Sequence, residues 1–303
     1  MGNIKASDIA AYLNANLSGQ DILINSVSSL SNPKANSLVF SKKAFNYDGI
    51  DSLLVICTEA VREQCILQTK LSFIVVSNPR LVFAKVVQNF FLETPIPHIH
   101  PTAVVAENAK LHPSASIGAY CVVESGVSIG EGSVIKNHVV ISGNVKIGKF
   151  CYIKSGAVIG EEGFGFDFED DQTPVRLPHL GSVEIGDFVE IGSNATVARG
   201  TLDNTIVGKH TKIDDHVHIA HNCNIGINCV ITACAALSGG VTLGGSNWIG
   251  PNSAIIQKIK IHENAFVGIG SVVTESIKTR SKVMGLSAMP LKSLVSLKRL
   301  IKM

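Results

Sequence analysis

From Ile99 onward one residue in six is aliphatic: Ile99, Val105, Leu111, Ile117, Val123, Ile129, Ile135, Ile141, Ile147, Ile153 and Ile159 keep strict step. Four residues after most of these stands a small or β-branched residue, as at Ala109, Ala115, Cys121, Val127 and Ser133. The period returns at Ile185, Ile191 and Val197, slips at Arg199 to Thr205, and runs again from Val207 through Ile213, Ile219, Ile225, Ile231, Leu237, Leu243, Ile249, Ile255, Ile261 and Val267 to Val273. A period of six is neither helical nor that of a plain alternating strand; it is the signature of a stacked solenoid. Three hexads close one triangular coil, and successive coils stack at the inter-strand spacing of about 4.8 Å. Each coil buries its neighbour's apolar corner, so large aliphatic and small inward positions suffice for a core.

The prism is interrupted once at length, by an insertion over 160–182 that holds Gly163-Phe164-Gly165-Phe166 and the acidic Glu169-Asp170-Asp171. Phenylalanines flanked by glycines are costly on a plain surface loop, which predicts that the insertion folds over a site or a neighbour. Residues 1–96 lack the period. Their apolar runs, Ile22 to Val27, Ser37 to Phe40, Leu53 to Cys57 and Leu71 to Val76, read as strands, and Lys5 to Leu17 and Leu81 to Phe91 as helices. This predicts a small α/β domain, linked by Pro95, Pro97 and Pro101 to a β-helix domain over 97–285. Over 286–303, Pro290 opens a short helix with Leu291, Leu294, Val295 and Ile301 on one side and a basic rim of Lys292, Lys298, Arg299 and Lys302, a solvated face or a dock for an acidic carrier.

Composition narrows the picture. The 303 residues are 46% hydrophobic but 6% aromatic, with 27 glycines, as a core of small and β-branched residues requires. A net charge of +2 gives no nucleic-acid surface. No apolar run reaches the roughly 18 residues of a membrane span, and Met1 to Leu17 lacks a signal peptide's pattern, so a cytoplasmic protein is expected. Of the seven cysteines none forms a C-x-x-C pair, and Cys121, Cys151, Cys223 and Cys229 share the small inward slot, so they read as core residues.

Chemistry concentrates at Ile213 to Gly226, which carries His216, His218 and His221. Coil arithmetic separates them: His216 and His218 belong to the face before His221. Gly239 follows His221 by one 18-residue coil, about 5 Å along the same face, where its N–H can meet an oxyanion beside the imidazole. Lys258 lies two coils and one residue on, about 10 Å away.

Ile219-Ala220-His221-Asn222-Cys223, Ala198-Arg199-Gly200-Thr201-Leu202-Asp203-Asn204-Thr205 and Gly163-Phe164-Gly165-Phe166 resemble UDP-3-O-(3-hydroxyacyl)glucosamine N-acyltransferase, the third enzyme of lipid A synthesis. Ser37-Leu38-Val39-Phe40-Ser41-Lys42-Lys43 and Asn78-Pro79-Arg80-Leu81 are similar to that family's uridine-binding front domain, so the likeness covers nearly the whole chain. It implies a mainly β fold: a left-handed parallel β-helix of hexapeptide repeats, a small N-terminal α/β domain and a short C-terminal helix. It also implies a homotrimer with sites between subunits, a UDP-sugar substrate, and an acyl thioester on acyl carrier protein or coenzyme A as co-substrate, with no cofactor and no metal. His221 becomes the general base and Gly239 the oxyanion donor. Phe40, Lys43, Tyr47, Asn222, Asp203, Phe164, Phe166 and Lys258 become the substrate-binding residues.

The chain departs from the family at several of these. Lys258 stands where a second histidine is usual, Ala198 replaces the Asp of Asp-Arg-Gly, and Lys43 and Asn46 replace the Asn and Tyr of the uracil pocket, with Phe45 and Tyr47 on either side. A sister activity therefore competes, transfer of a short acyl group from coenzyme A to another nucleotide-linked amino sugar for surface polysaccharide. Two readings of other classes are a γ-carbonic-anhydrase-like metal site built on His216, His221 and His179, and a catalytically silent binding protein.

Overall fold

The computed structural model describes residues 3–45, 52–65, 71–93, 95–285, 287–291 and 293. Tyr47 and nearly all of the expected C-terminal helix lie outside them. The chain divides into two compact units, Met1–Thr94 and Pro95–Met303.

In the first unit, five strands form one sheet in the order Leu17–Ser18, Leu71–Val75, Leu53–Cys57, Ser37–Phe40, Ser26–Val27, all parallel except Leu17–Ser18. The three inner strands are covered on both faces, which is why they read as nearly unbroken apolar runs instead of alternating ones. The first helix is shorter than the expected Lys5 to Leu17. It runs Ala6–Tyr12, because Asn14 takes a left-handed φ of 50° and Leu17 is drawn into the sheet. The last helix, Pro79–Phe90, starts two residues earlier than expected, where Asn78 Oδ1 caps the Leu81 N–H and Pro79 fits the first turn. A six-residue helix, Glu59–Gln64, escapes periodicity analysis altogether because it is too short to show a period.

The second unit is a left-handed parallel β-helix. Its three faces are sheets of nine, nine and eight strands, nearly all two residues long. Val122 pairs with Val140 and Val140 with Val158, the 18-residue register that three hexads demand. Two interruptions widen it: Val158 meets Thr196 across the insertion, and Thr196 meets His218 across the slip at 199–205. Every aliphatic hexad position from Ile117 to Val273 is buried, and Cys121, Cys151, Cys223 and Cys229 lie among them. Burial pushes the Cys223 thiol up to about 11, so it packs as a neutral residue and donates to Ser238 O.

The core is a stack of ladders, and Ile153, Ile191 and Ile213 are consecutive rungs of one. Ile191 is fully buried mid-stack, with a coil above and below that cannot collapse into a vacancy. Ile191→Ala is therefore expected to cost about 2–5 kcal/mol, read as a lower midpoint in chemical denaturation. A midpoint equal to that of the unaltered chain would contradict this packing.

Candidate active site

The strand His218–Ile219 ends at a corner where His221 and Asn222 follow. Asn222 holds a left-handed φ of 58°, a conformation asparagine tolerates better than most residues. That conformation turns its side chain back toward the imidazole, and His221 Nδ1 lies 2.9 Å from Asn222 Oδ1. The same oxygen accepts from the Thr201 N–H at 3.1 Å and from Thr201 Oγ1 at 2.8 Å. A backbone N–H can only donate, so the accepting atom is the amide oxygen, and His221 Nδ1 must carry the hydrogen. In the neutral ring the lone pair then sits on Nε2.

Gly239 stands one coil along, against the ring. A Cβ built on it would lie 2.7 Å from Cε1 and Nε2 of His221 and 3.3 Å from Nδ1, so only glycine leaves room for the imidazole. Its carbonyl accepts from the Lys258 N–H, whereas its own N–H donates to no acceptor among the described residues. Lys258 stacks on Gly240, in the column of Asn222, one residue aside from the His221 and Gly239 column.

The insertion closes over this corner. Its outer part is a hairpin of Phe166–Phe168 against Pro174–Arg176, and its two ends are fixed to the slip loop. The Arg199 N–H donates to Glu161 O, while Leu180 N and Gly181 N donate to Thr201 O and Gly200 O. Glu162 bridges Arg199 and Arg176. Insertion, slip loop, Asn222 and His221 are thus one hydrogen-bonded sequence, joined through Thr201. The glycines of Gly163-Phe164-Gly165-Phe166 face inward: a Cβ at Gly163 would sit 2.9 Å from both His221 and His179, and one at Gly165 2.9 Å from His179. The phenylalanines face outward. Phe164 is 86% exposed, and it packs on Phe166 with ring centroids 4.8 Å apart, an apolar patch beside the imidazole corner.

The remaining candidates scatter. Asp203 lies exposed on the slip loop, and its carbonyl oxygen packs against Gly200 and Gly181. In the first unit, Phe40 packs on Phe83 at 4.8 Å as part of that unit's core, and Lys43 is exposed, its backbone tied to Ser41 Oγ. His218 hydrogen-bonds Thr196 Oγ1, and His216 sits on the preceding corner, where its N–H bonds Ser193 O. No group of three or more His, Cys, Asp or Glu side chains among the described residues is arranged to hold a metal ion. Two features were missed from sequence: the role of Asn222 and Thr201 in orienting the base, and the packing of His179 against His221. An asparagine directly after the histidine, a residue type that tolerates left-handed φ at a turn, was a usable signal for the first.

A solenoid of hexapeptide coils with a histidine fixed at a corner defines the class, a hexapeptide-repeat acyltransferase. Residues 108–143 match the bacterial transferase hexapeptide family, six repeats. UDP-3-O-acylglucosamine N-acyltransferase of Coxiella burnetii is 36% identical over 77% of this chain and 74% of its own length. Its counterpart in Neisseria meningitidis serogroup B is 34% identical over 78% and 73%. The chain belongs to the UDP-3-O-acylglucosamine N-acyltransferase family. Among solved structures, UDP-N-acetylglucosamine acyltransferase of Francisella novicida aligns with a TM-score of 0.58 at 29% identity, over 67% of this chain and 73% of that one. LpxA of Acinetobacter baumannii aligns at 0.57 and 26%, over 66% and 77%.

Proposed function

We propose that this enzyme transfers a 3-hydroxyacyl group from an acyl-carrier-protein thioester to the 2-amine of a UDP-linked 3-O-acylglucosamine, as its relatives' names suggest, in lipid A synthesis. The observation that carries the mechanism is the Asn222 hydrogen bond, which commits Nδ1 of His221 as donor and leaves Nε2 as the basic atom. An imidazole is the side chain whose ordinary titration range suits proton acceptance near neutral pH.

The amine nitrogen attacks the thioester carbonyl carbon, and His221 Nε2 takes a proton from that nitrogen. The carbonyl oxygen becomes an oxyanion, for which the uncommitted N–H of Gly239 is the nearby donor. Collapse re-forms the carbonyl, breaks the carbon–sulfur bond, and returns the proton from His221 to the departing thiolate. Amide and thiol are the products, with the base restored. The balance needs no cofactor, no metal and no covalent enzyme intermediate.

Asn222, Asp203 and Lys258 are assigned to the sugar and carrier side of the corner. Phe164 and Phe166 are assigned to the hydrocarbon chain, for which an exposed aromatic pair is a suitable surface. Phe40, Lys43 and Tyr47 are assigned to the uridine; the packing of Phe40 on Phe83 leaves it a half-buried ring for stacking at most. A cytoplasmic homotrimer with shared sites fits a face that is open in one chain. No helix among the described residues is long and apolar enough to cross a membrane.

Incubation with UDP-3-O-acylglucosamine and hydroxyacyl carrier protein, followed by mass spectrometry of the sugar nucleotide, tests this reading. Turnover in multiple equivalents per enzyme is expected. No product there, with product from a short acyl-coenzyme A and another nucleotide-linked amino sugar, would replace it with the sister activity.

A further inference from the structure

His179 is the one histidine buried in this structure's described core regions, 1% exposed, and it stands on the insertion instead of the solenoid. Its Nδ1 lies 3.0 Å from Leu177 O, and a carbonyl only accepts, so Nδ1 carries the hydrogen and Nε2 the lone pair. That Nε2 is enclosed and has no hydrogen-bond partner. Buried polar atoms without partners are rare, and those that persist concentrate where function requires them. The ring meets His221 edge to face, centroids 4.9 Å apart at 73°. Gly163 lies in the crevice between them, within reach of His179 Nε2 and of Cβ and Cδ2 of His221.

His221 is therefore held by Asn222 at Nδ1, by the Gly239 backbone against the ring, by Gly163 at the Cβ–Cδ2 edge and by the edge-to-face ring of His179. An imidazole that could rotate about its own bonds would spend little time with Nε2 aimed at an amine, and misplacement on the order of 1 Å costs about a hundredfold in rate. A second imidazole is an apt wedge only if it stays neutral, since a cation there would oppose charge on His221 as the proton is transferred. Burial, and then the neighbouring His221, push the His179 pKa below the ordinary histidine value, and Arg199 acts in the same direction against Glu162.

We propose that His179 is a positioning residue for acyl transfer: a buried imidazole, hydrogen-bearing at Nδ1, that packs edge to face on His221, fixes the plane of that ring and keeps its Nε2 lone pair in the crevice the two rings share with Gly163. This rests on His221 being the base. It also explains the alternating glycines of the insertion, which let backbone approach two adjacent imidazoles.

The test compares His179→Gln and His179→Leu in the full chain with His221→Ala. His179→Gln keeps a side-chain acceptor and should hold kcat within about threefold of the unaltered enzyme. His179→Leu fills the volume without a lone pair and should lower kcat by about 10- to 100-fold with KM within about twofold. A second readout needs no activity: long-range nitrogen–proton NMR of the histidine rings at neutral pH should find His179 protonated on Nδ1 only. A fully active His179→Leu, or a cationic or Nε2-protonated His179, overturns the inference. If His221→Ala is inactive and His179→Leu is not, this inference alone falls; if His221→Ala keeps full activity, the base assignment falls with it.

Discussion

His221→Ala is expected to lower kcat for N-acylation by about 10²–10⁴-fold, the usual contribution of a positioned proton acceptor, while the folded chain keeps its denaturation midpoint. The rate effect follows from the single committed hydrogen bond: with Nδ1 donating to Asn222 Oδ1, Nε2 is the ring's one free lone pair, and alanine removes it. The stability effect is small because His221 is a half-buried corner residue. Its backbone carbonyl still accepts from the Gly240 N–H, and the rungs beneath it, Ile219 and Leu237, are untouched. Steady-state rates at saturating acceptor, alongside circular dichroism in denaturant, separate the two. Full activity in the alanine variant would refute the mechanism.

The solenoid was legible in the chain because its physics is one-dimensional. Each coil touches only its neighbours, so burial of Ile117, Ile135 and Ile153 is written at fixed intervals and the 18-residue register follows by counting. The same counting found Gly239 beneath His221, since both lie on regular coils. It failed where the coil does. His179 reaches His221 through an insertion whose path no period dictates, and the sequence reading met it only as a poor third ligand in a metal hypothesis. The orienting role of Asn222 was not legible either, because its side-chain direction depends on φ and on Thr201, at the slip in the register. In the front unit, helix ends moved where local chemistry outweighed pattern: Asn14 stopped the first helix, and Asn78 with Pro79 started the last one early.

These failures share a cause that bears on function. A perfectly regular β-helix presents flat faces and no enclosed polar site. Both departures from register, the insertion and the slip at 199–205, fall within two coils of His221, and they are bonded to each other through Leu180, Gly181, Gly200 and Thr201. Arg199, at the head of the slip, ties down Glu161 and Glu162 at the root of the insertion. The irregular segments supply what the repeat cannot, a lid over the base and an orienting partner beneath it.

Gly239→Ala should be almost as damaging as loss of the histidine, with a fall in kcat of about a hundredfold or more, although the change adds one methyl group. That methyl would stand 2.7 Å from Cε1 and Nε2 of His221, closer than carbon and nitrogen can approach, so something must move. The ring has little freedom, being held by Asn222 at Nδ1 and by His179 and Gly163 on its other edge. The backbone has little either, because Gly239 O accepts from the Lys258 N–H and the adjacent Gly240 N–H donates to His221 O. Whichever yields, base and oxyanion donor lose their mutual alignment, and overpacking should also cost about 1–3 kcal/mol of stability. Combining the change with His221→Ala tells the two components apart, since contacting residues need not add. With the ring gone the methyl has space, so the stability loss should disappear in the double variant. Because alanine keeps the backbone amide, the Gly239 N–H survives in the double variant, so its residual rate should equal that of His221→Ala alone; a further drop would mean that the methyl group shields or displaces that N–H.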